Sequence, residues 1–225
     1  KAPGGLPLST RALQYGLNPQ ETGSFTEQLT QLDRWIRPEN QSAEEDVRAT
    51  PLPPVPARGF LLGASTDSAL LAASRDWHFV FAAPLNGDPE LLREVVTAWR
   101  QHSVREVIVA VQVIVAPTQA EADALAQKVE VWGVELVNGQ RVTVASEEQA
   151  YAFARQAGSD PVRIARRAQS LLAGTADSVL EQLNALHQQW GIDQFIIDTP
   201  VADGATRVQS LRLLAEARFN REVTV

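Results

Sequence analysis

The sequence has no cysteine and no methionine among its 225 residues. Without cysteine there is no disulfide and no thiolate zinc site, and nothing points to an oxidising compartment. Positive charge is scarce: 20 Lys and Arg against 27 Asp and Glu leave a formal net charge of -7. That balance argues against bulk electrostatic binding to nucleic acid or an anionic membrane. No apolar run approaches the roughly 20 residues of a membrane span, and the opening residues do not read as a signal peptide. The expectation is a cytoplasmic protein whose partners are small molecules.

What is present is an ordinary globular composition, 44% hydrophobic, patterned as strands alternating with helices. Ser24 is a plausible cap for a helix in which Phe25, Leu29, Leu32 and Ile36 recur at helical spacing. The run 50–58 holds four prolines in nine residues, which excludes a helix and disfavours a central strand. "GFLLGA" (59–64) then reads as a short buried strand, with a helix over 67–76. "HFVFAAPL" (78–85) is a second strand, and Asp88 and Pro89 open its helix. "REVIVAVQVIVAP" (105–117) is a third. A helix is expected over 118–136, opened by Thr118 and Glu121 as a capping box.

Residues 138–160 read as irregular, and 160–171 as a further helix carrying Arg163, Arg166 and Arg167 on a solvated face. The next helix sets Leu180, Leu183, Leu186 and Trp190 on one face and stops at Gly191. "IDQFIIDT" (192–199) is a fourth strand, and "ATRVQSLRLLAEARF" (205–219) a closing helix. A fifth strand near 47–52 is the least regular. Alternation of this kind means a parallel sheet covered by helices, either doubly wound or part of a β/α barrel.

In both architectures ligands bind where the carboxyl ends of strands meet the following loops. The turn after "GFLL" lies at such an end. Gly63 and Ala64 allow close backbone approach, Ser65, Thr66 and Ser68 bring hydroxyls, and a helix N-terminus adds free amides. This is an anion site, most naturally for phosphate, or else a simple helix cap. The three histidines, His78, His102 and His187, have no metal spacing, and the last two read as surface residues. Asp198 and Asp203 flank the end of the last strand, as functional carboxylates or as caps.

Four stretches resemble the bacterial luciferase-like flavin monooxygenases, in their shorter single-chain branch. "KAPGG" (1–5) is similar to the run that ends the family's fourth barrel strand, with Lys1 where arginine is usual. "LLGASTDSALLAA" (61–73) resembles its strand, Gly-Ser-Ser turn and helix, with Ala64 where serine is common. "AGTADSVLEQLNALHQQWGIDQFII" (173–197) and "DGATRVQSLRLLAEA" (203–217) resemble its last strand and closing helix.

The resemblance implies an α/β fold: a (β/α)8 TIM-like barrel forming a single domain over 1–225, with a mobile insertion at about 138–160. Its first strands are missing, and three or four more are expected before Lys1. It implies that Gly63, Ala64, Ser65, Thr66 and Ser68 cradle the phosphate of FMN. Tyr151 and Phe153 either close on substrate or pack beneath the insertion. The implied activity is oxidation of a small organic substrate by reduced FMN and O2, with a separate flavin reductase and a homodimer as expected partners. Two alternatives remain: a non-catalytic barrel that binds flavin or another phosphate ligand, and a deazaflavin-dependent oxidoreductase that transfers hydride. The family's catalytic histidine has no counterpart here, and Pro84 stands near where some members carry one, so no catalytic residue is assigned.

Overall fold

The computed structural model describes residue 8 and residues 23–37, 49–51, 53–83, 88–167 and 170–223. The expectations placed on "KAPGG", on Pro84 and on most of the fifth strand lie outside these residues. Residues 49–51, within that stretch, are not a strand. Internal contacts divide the chain into two compact units, Phe60–Trp132 with Ala165–Val225, and Lys1–Gly59 with Gly133–Ile164.

The first unit is built on a parallel sheet. Strands β1 (Phe60–Gly63), β2 (His78–Ala82) and β3 (Ile108–Val115) pair in that order, Leu62 beside Val80 and Val80 beside Ile108. The strand at Gln194–Asp198, the last in the chain, lies along β3, Ile108 beside Gln194 and Gln112 beside Asp198. A short strand at Leu171–Gly174 pairs with the carboxyl half of β3, Val115 beside Gly174. The described strands of this sheet number five and do not close into a barrel. β2 and β3 are almost wholly buried, whereas β1 and β8 alternate, with Leu62 and Ile196 exposed on one face.

Each strand is followed by a helix that the sequence starts with a cap. Ser65 caps α2 (Thr66–Ala73), after α1 (Phe25–Ile36) of the other unit. Asp88 caps α3 (Pro89–His102), with proline in the first turn, and Thr118 caps α4 (Gln119–Ala126). One face of the sheet packs under these helices. Phe79 of β2 meets Trp99 of α3 with ring centroids 5.7 Å apart, and both are fully buried. The Trp99 indole N–H donates to the Arg105 carbonyl at 3.0 Å, so the buried ring keeps its polar end satisfied.

Three expectations are corrected between residues 118 and 171. The helix over 118–136 ends at Ala126, and β4 (Trp132–Leu136) follows; "VEVWGVEL" carries valines and a tryptophan, which favour a strand, and a glycine, which weakens a helix. The stretch 138–160, which reads as irregular in the sequence, contains a strand and a helix. Asn138 and Gly139, the latter at φ 81°, turn the chain into β5 (Arg141–Val144). Helix α5 (Glu147–Ala157) then runs from its Ser146 cap to Gly158, burying Ala150, Phe153 and Ala154 at helical spacing. The expected helix over 160–171 is instead β6 (Pro161–Arg166), which completes a sheet of order β5, β4, β6. Arg163 and Arg166 therefore belong to a strand.

After β6 come β7 (Leu171–Gly174), α6 (Ala176–Trp190), β8 (Gln194–Asp198) and α7 (Gly204–Val223). Gly191 ends α6 in the left-handed conformation, as its position in the sequence predicts.

Candidate functional site

The carboxyl end of β1 delivers the chain into the turn Gly63 to Ser68. Ser65 adopts extended backbone angles and its Oγ accepts from the Ser68 amide at 3.2 Å, while the two hydroxyl oxygens lie 3.0 Å apart. Gly63 is obligatory for this closeness. A Cβ there would stand 2.6 Å from Ser68 Oγ, with Ser68 Cβ nearer still.

Ala64, Ser65, Thr66 and Ser68 are all half-buried, and Asp67 is exposed. Among the described residues, no acceptor meets the amides of Thr66 and Asp67, the first two N–H groups of α2. Ser65 is thus a helix cap, and two amide donors beside it remain available for an anion. This donor set fits a phosphate such as that of FMN: fixed N–H groups, a serine pair and no carboxylate except the exposed Asp67.

The remaining candidates separate. Asp203 caps α7, its Oδ2 accepting from both the hydroxyl and the amide of Thr206 at 2.7 Å. Those bonds, the hydroxyl's first, hold its carboxyl below the usual carboxylate range. Asp198 ends β8 and accepts from Gln112 Nε2 at 3.0 Å. The sequence reading passed over Gln112, although a lone polar residue near the carboxyl end of an apolar strand was a signal.

His102 and His187 are exposed in the last turns of α3 and α6, bonded to nearby carbonyls, and His187 also reaches Asp193 at 2.9 Å. His78 stacks on Phe60 with centroids 4.4 Å apart, at the opposite, amino end of the strands. Phe153 is buried in α5 and Tyr151 is exposed there. Asp123, Ala126, Gln127, Val129, Arg166 and Arg167 line a shallow, open depression at the end of α4. No cluster among the described residues could hold a metal ion, and no described helix is long and apolar enough to cross a membrane.

A parallel sheet whose strands lead into capped helices, with unpaired amides at one carboxyl end, places the chain among the β/α proteins. The comparisons narrow this. The family model for the luciferase-like monooxygenase matches residues 23–194. The N-acetyl-S-alkylcysteine monooxygenase of Bacillus subtilis (strain 168) is 34% identical over 223 residues, covering 96% of this chain and 66% of that protein. The uncharacterized protein YwcH of the same organism is 26% identical over 227 residues, 96% of this chain and 67% of its own length.

Among solved structures, apo-MsnO8 superposes with a TM-score of 0.63 at 22% identity, over 93% of this chain and 64% of that one. The monooxygenase RslO1 from Streptomyces bottropensis gives 0.60 at 16%, over 95% and 65%. At these identities the two structures carry the fold alone. The chain belongs to the luciferase-like monooxygenase family. It spans 66% of the length of the N-acetyl-S-alkylcysteine monooxygenase.

Proposed function

We propose that this chain serves a flavin-dependent monooxygenase that uses reduced FMN and O2 to oxidise a small organic substrate. One observation carries the reading at residue level: a helix N-terminus at the carboxyl end of β1 whose Thr66 and Asp67 amides have no described acceptor. Bound there, FMN would supply the electrons and the oxygen chemistry, which side chains cannot. The chain's own residues do the rest. Gly63, Ala64, Ser65, Thr66 and Ser68 hold the phosphate, and the Ser65–Ser68 pair keeps the turn rigid.

We read the whole as one barrel domain of a cytoplasmic homodimer, with a separate reductase supplying the flavin. Residues 138–160 are read as the family's mobile insertion, and Tyr151 on α5 is its exposed aromatic. The 34% identity to an N-acetyl-S-alkylcysteine monooxygenase makes thioethers the first substrates to assay.

The test is titration of the full chain and its Ala64→Asp variant with FMN, followed by flavin fluorescence. An acidic side chain beside the phosphate should weaken binding roughly 100-fold or more, with little change in stability. Equal affinities would reduce the turn to a helix cap. Tighter binding of a deazaflavin than of FMN would replace oxygenation by hydride transfer.

A further inference from the structure

Strand β3 is apolar from Ile108 to Val115 except at one position, Gln112. Its Nε2 donates to Asp198 Oδ2 at 3.0 Å, and Asp198 is its register partner on β8. A carboxylate only accepts, so this bond settles which way the amide faces. One N–H is held by Asp198. The other N–H and the carbonyl Oε1 have no partner among the described residues.

The pleat and the register place Gln112 on the face opposite Phe79 and Trp99. The same face carries Leu62 of β1, Ala82 of β2, Ala110 of β3 and Ile196 of β8. Ala82, Ala110 and Ile196 form one row across three strands, two of them ending at a single methyl group. Gln112 and Asp198 form the next row toward the carboxyl ends, and Leu62 is the last residue on this face of β1 before the Gly63 turn. From that turn to Gln112 is two strand spacings across and three residues along, about 14 Å over the sheet.

A low apolar shelf starts at an anion-binding turn and stops at an oriented amide. That is the outline of a ligand with a phosphate at one end and a flat ring, polar along its far edge, at the other. A primary amide offers N–H and C=O side by side, which complements an imide in two parallel hydrogen bonds.

We propose that Gln112, oriented by Asp198, binds the imide edge of the flavin ring, its Oε1 accepting from the ring N–H and its second N–H donating to an adjacent carbonyl. The inference rests on the flavin reading above and adds a ring-recognition residue to the phosphate turn.

The experiment compares FMN with 3-methyl-FMN, which lacks that ring N–H, as calorimetric titrations of the full chain, its Gln112→Leu variant and its Asp198→Asn variant. Wild type should prefer FMN by about tenfold, the worth of one hydrogen bond in a partly buried site. Gln112→Leu should weaken FMN binding by at least that factor and 3-methyl-FMN binding by about tenfold less, so the preference vanishes. Asp198→Asn keeps the glutamine but frees its orientation, and should show a reduced preference. Loss of both ligands in parallel would make Gln112 a structural pin between β3 and β8 and overturn the proposal, as would an unchanged preference. Binding of FMN by wild type with no discrimination against 3-methyl-FMN overturns it too while leaving the phosphate turn standing. Binding of neither ligand by wild type removes the flavin reading and this inference together.

Discussion

Gly63 and Ser68 stand so close that a methyl group on the first would lie 2.6 Å from the hydroxyl oxygen of the second. The obstacle is the first turn of α2, which the Ser65 cap holds in place, so neither side can yield cheaply. Gly63→Ala is expected to destabilise the protein by about 1–3 kcal/mol, the usual range for overpacking. Adding Ser68→Gly removes the obstructing Cβ and should recover part of the loss. Urea denaturation of the two variants checks both halves, and an undisturbed Gly63→Ala would mean the turn is looser than drawn.

Thr199 follows β8 and is only 6% exposed, and its hydroxyl has no partner among the described residues. A buried hydroxyl without a hydrogen bond carries an uncompensated desolvation penalty. Thr199→Val keeps the shape and drops the polar atom. Its melting temperature should rise, with a gain of about 1 kcal/mol in stability. A drop of similar size would show that the hydroxyl is satisfied in solution.

The Asp203 carboxyl is held below its usual range by Thr206, and Glu27 likewise by the amide and hydroxyl of Ser24. A depressed pKa in the folded state favours folding above the unfolded value and ceases to do so as pH falls through the folded one. Acid should therefore weaken the caps of α7 and α1. The stability of Asp203→Asn should fall less steeply than that of wild type as the pH drops through the carboxylate range. Parallel pH profiles would remove Asp203 as a stabilising cap.

Gly191 has φ 61°, and a Cβ there would meet the Arg100 guanidinium at 2.8 Å. Arg100 uses that position to donate to the carbonyls of Trp190 and Gly191 at 2.6 and 3.0 Å, satisfying the end of α6. Gly158 is also left-handed, at φ 60°, but has open space around it. Gly158→Ala should cost about 1–2 kcal/mol from backbone conformation alone. Gly191→Ala should cost more, because Arg100 must leave; thermal melts of the two variants make the comparison.

Residues 138–160, proposed above as a mobile insertion, should open more readily than the sheet. Its amides are expected to exchange faster than those of β3, whose residues are almost all buried. Equal protection in a hydrogen-exchange time course would make the segment a fixed part of the fold.

The strands and caps of the parallel sheet were legible because each carried its own local chemistry. Asp88 before Pro89, Thr118 before Glu121, and the apolar run of β3, broken only at Gln112, need no distant partner to be recognised. The stretch 118–171 misled because its signals compete. Helix α4 stops at Ala126 without a glycine or proline to mark it, and β6 contains two arginines, Arg163 and Arg166, which a short exposed strand tolerates but which look helical in print. Asn138 followed by Gly139 was the overlooked hairpin mark. At the site, Ser65 was readable as both cap and ligand, and the structure makes it a cap. Gln112 was hidden for another reason: its meaning depends on Asp198, 86 residues away.

β3 sits beside β2, β7 and β8 at once. During synthesis it leaves the ribosome long before Gln194–Asp198 does, so its most extensive pairing waits while the whole of α4 to α6 is made. Contacts of such long sequence separation close slowly. Over that interval one edge of an almost wholly apolar strand is unpaired, the situation in which nascent chains engage chaperones or one another. The yield of this protein in a cell should therefore depend on how promptly its last strand arrives.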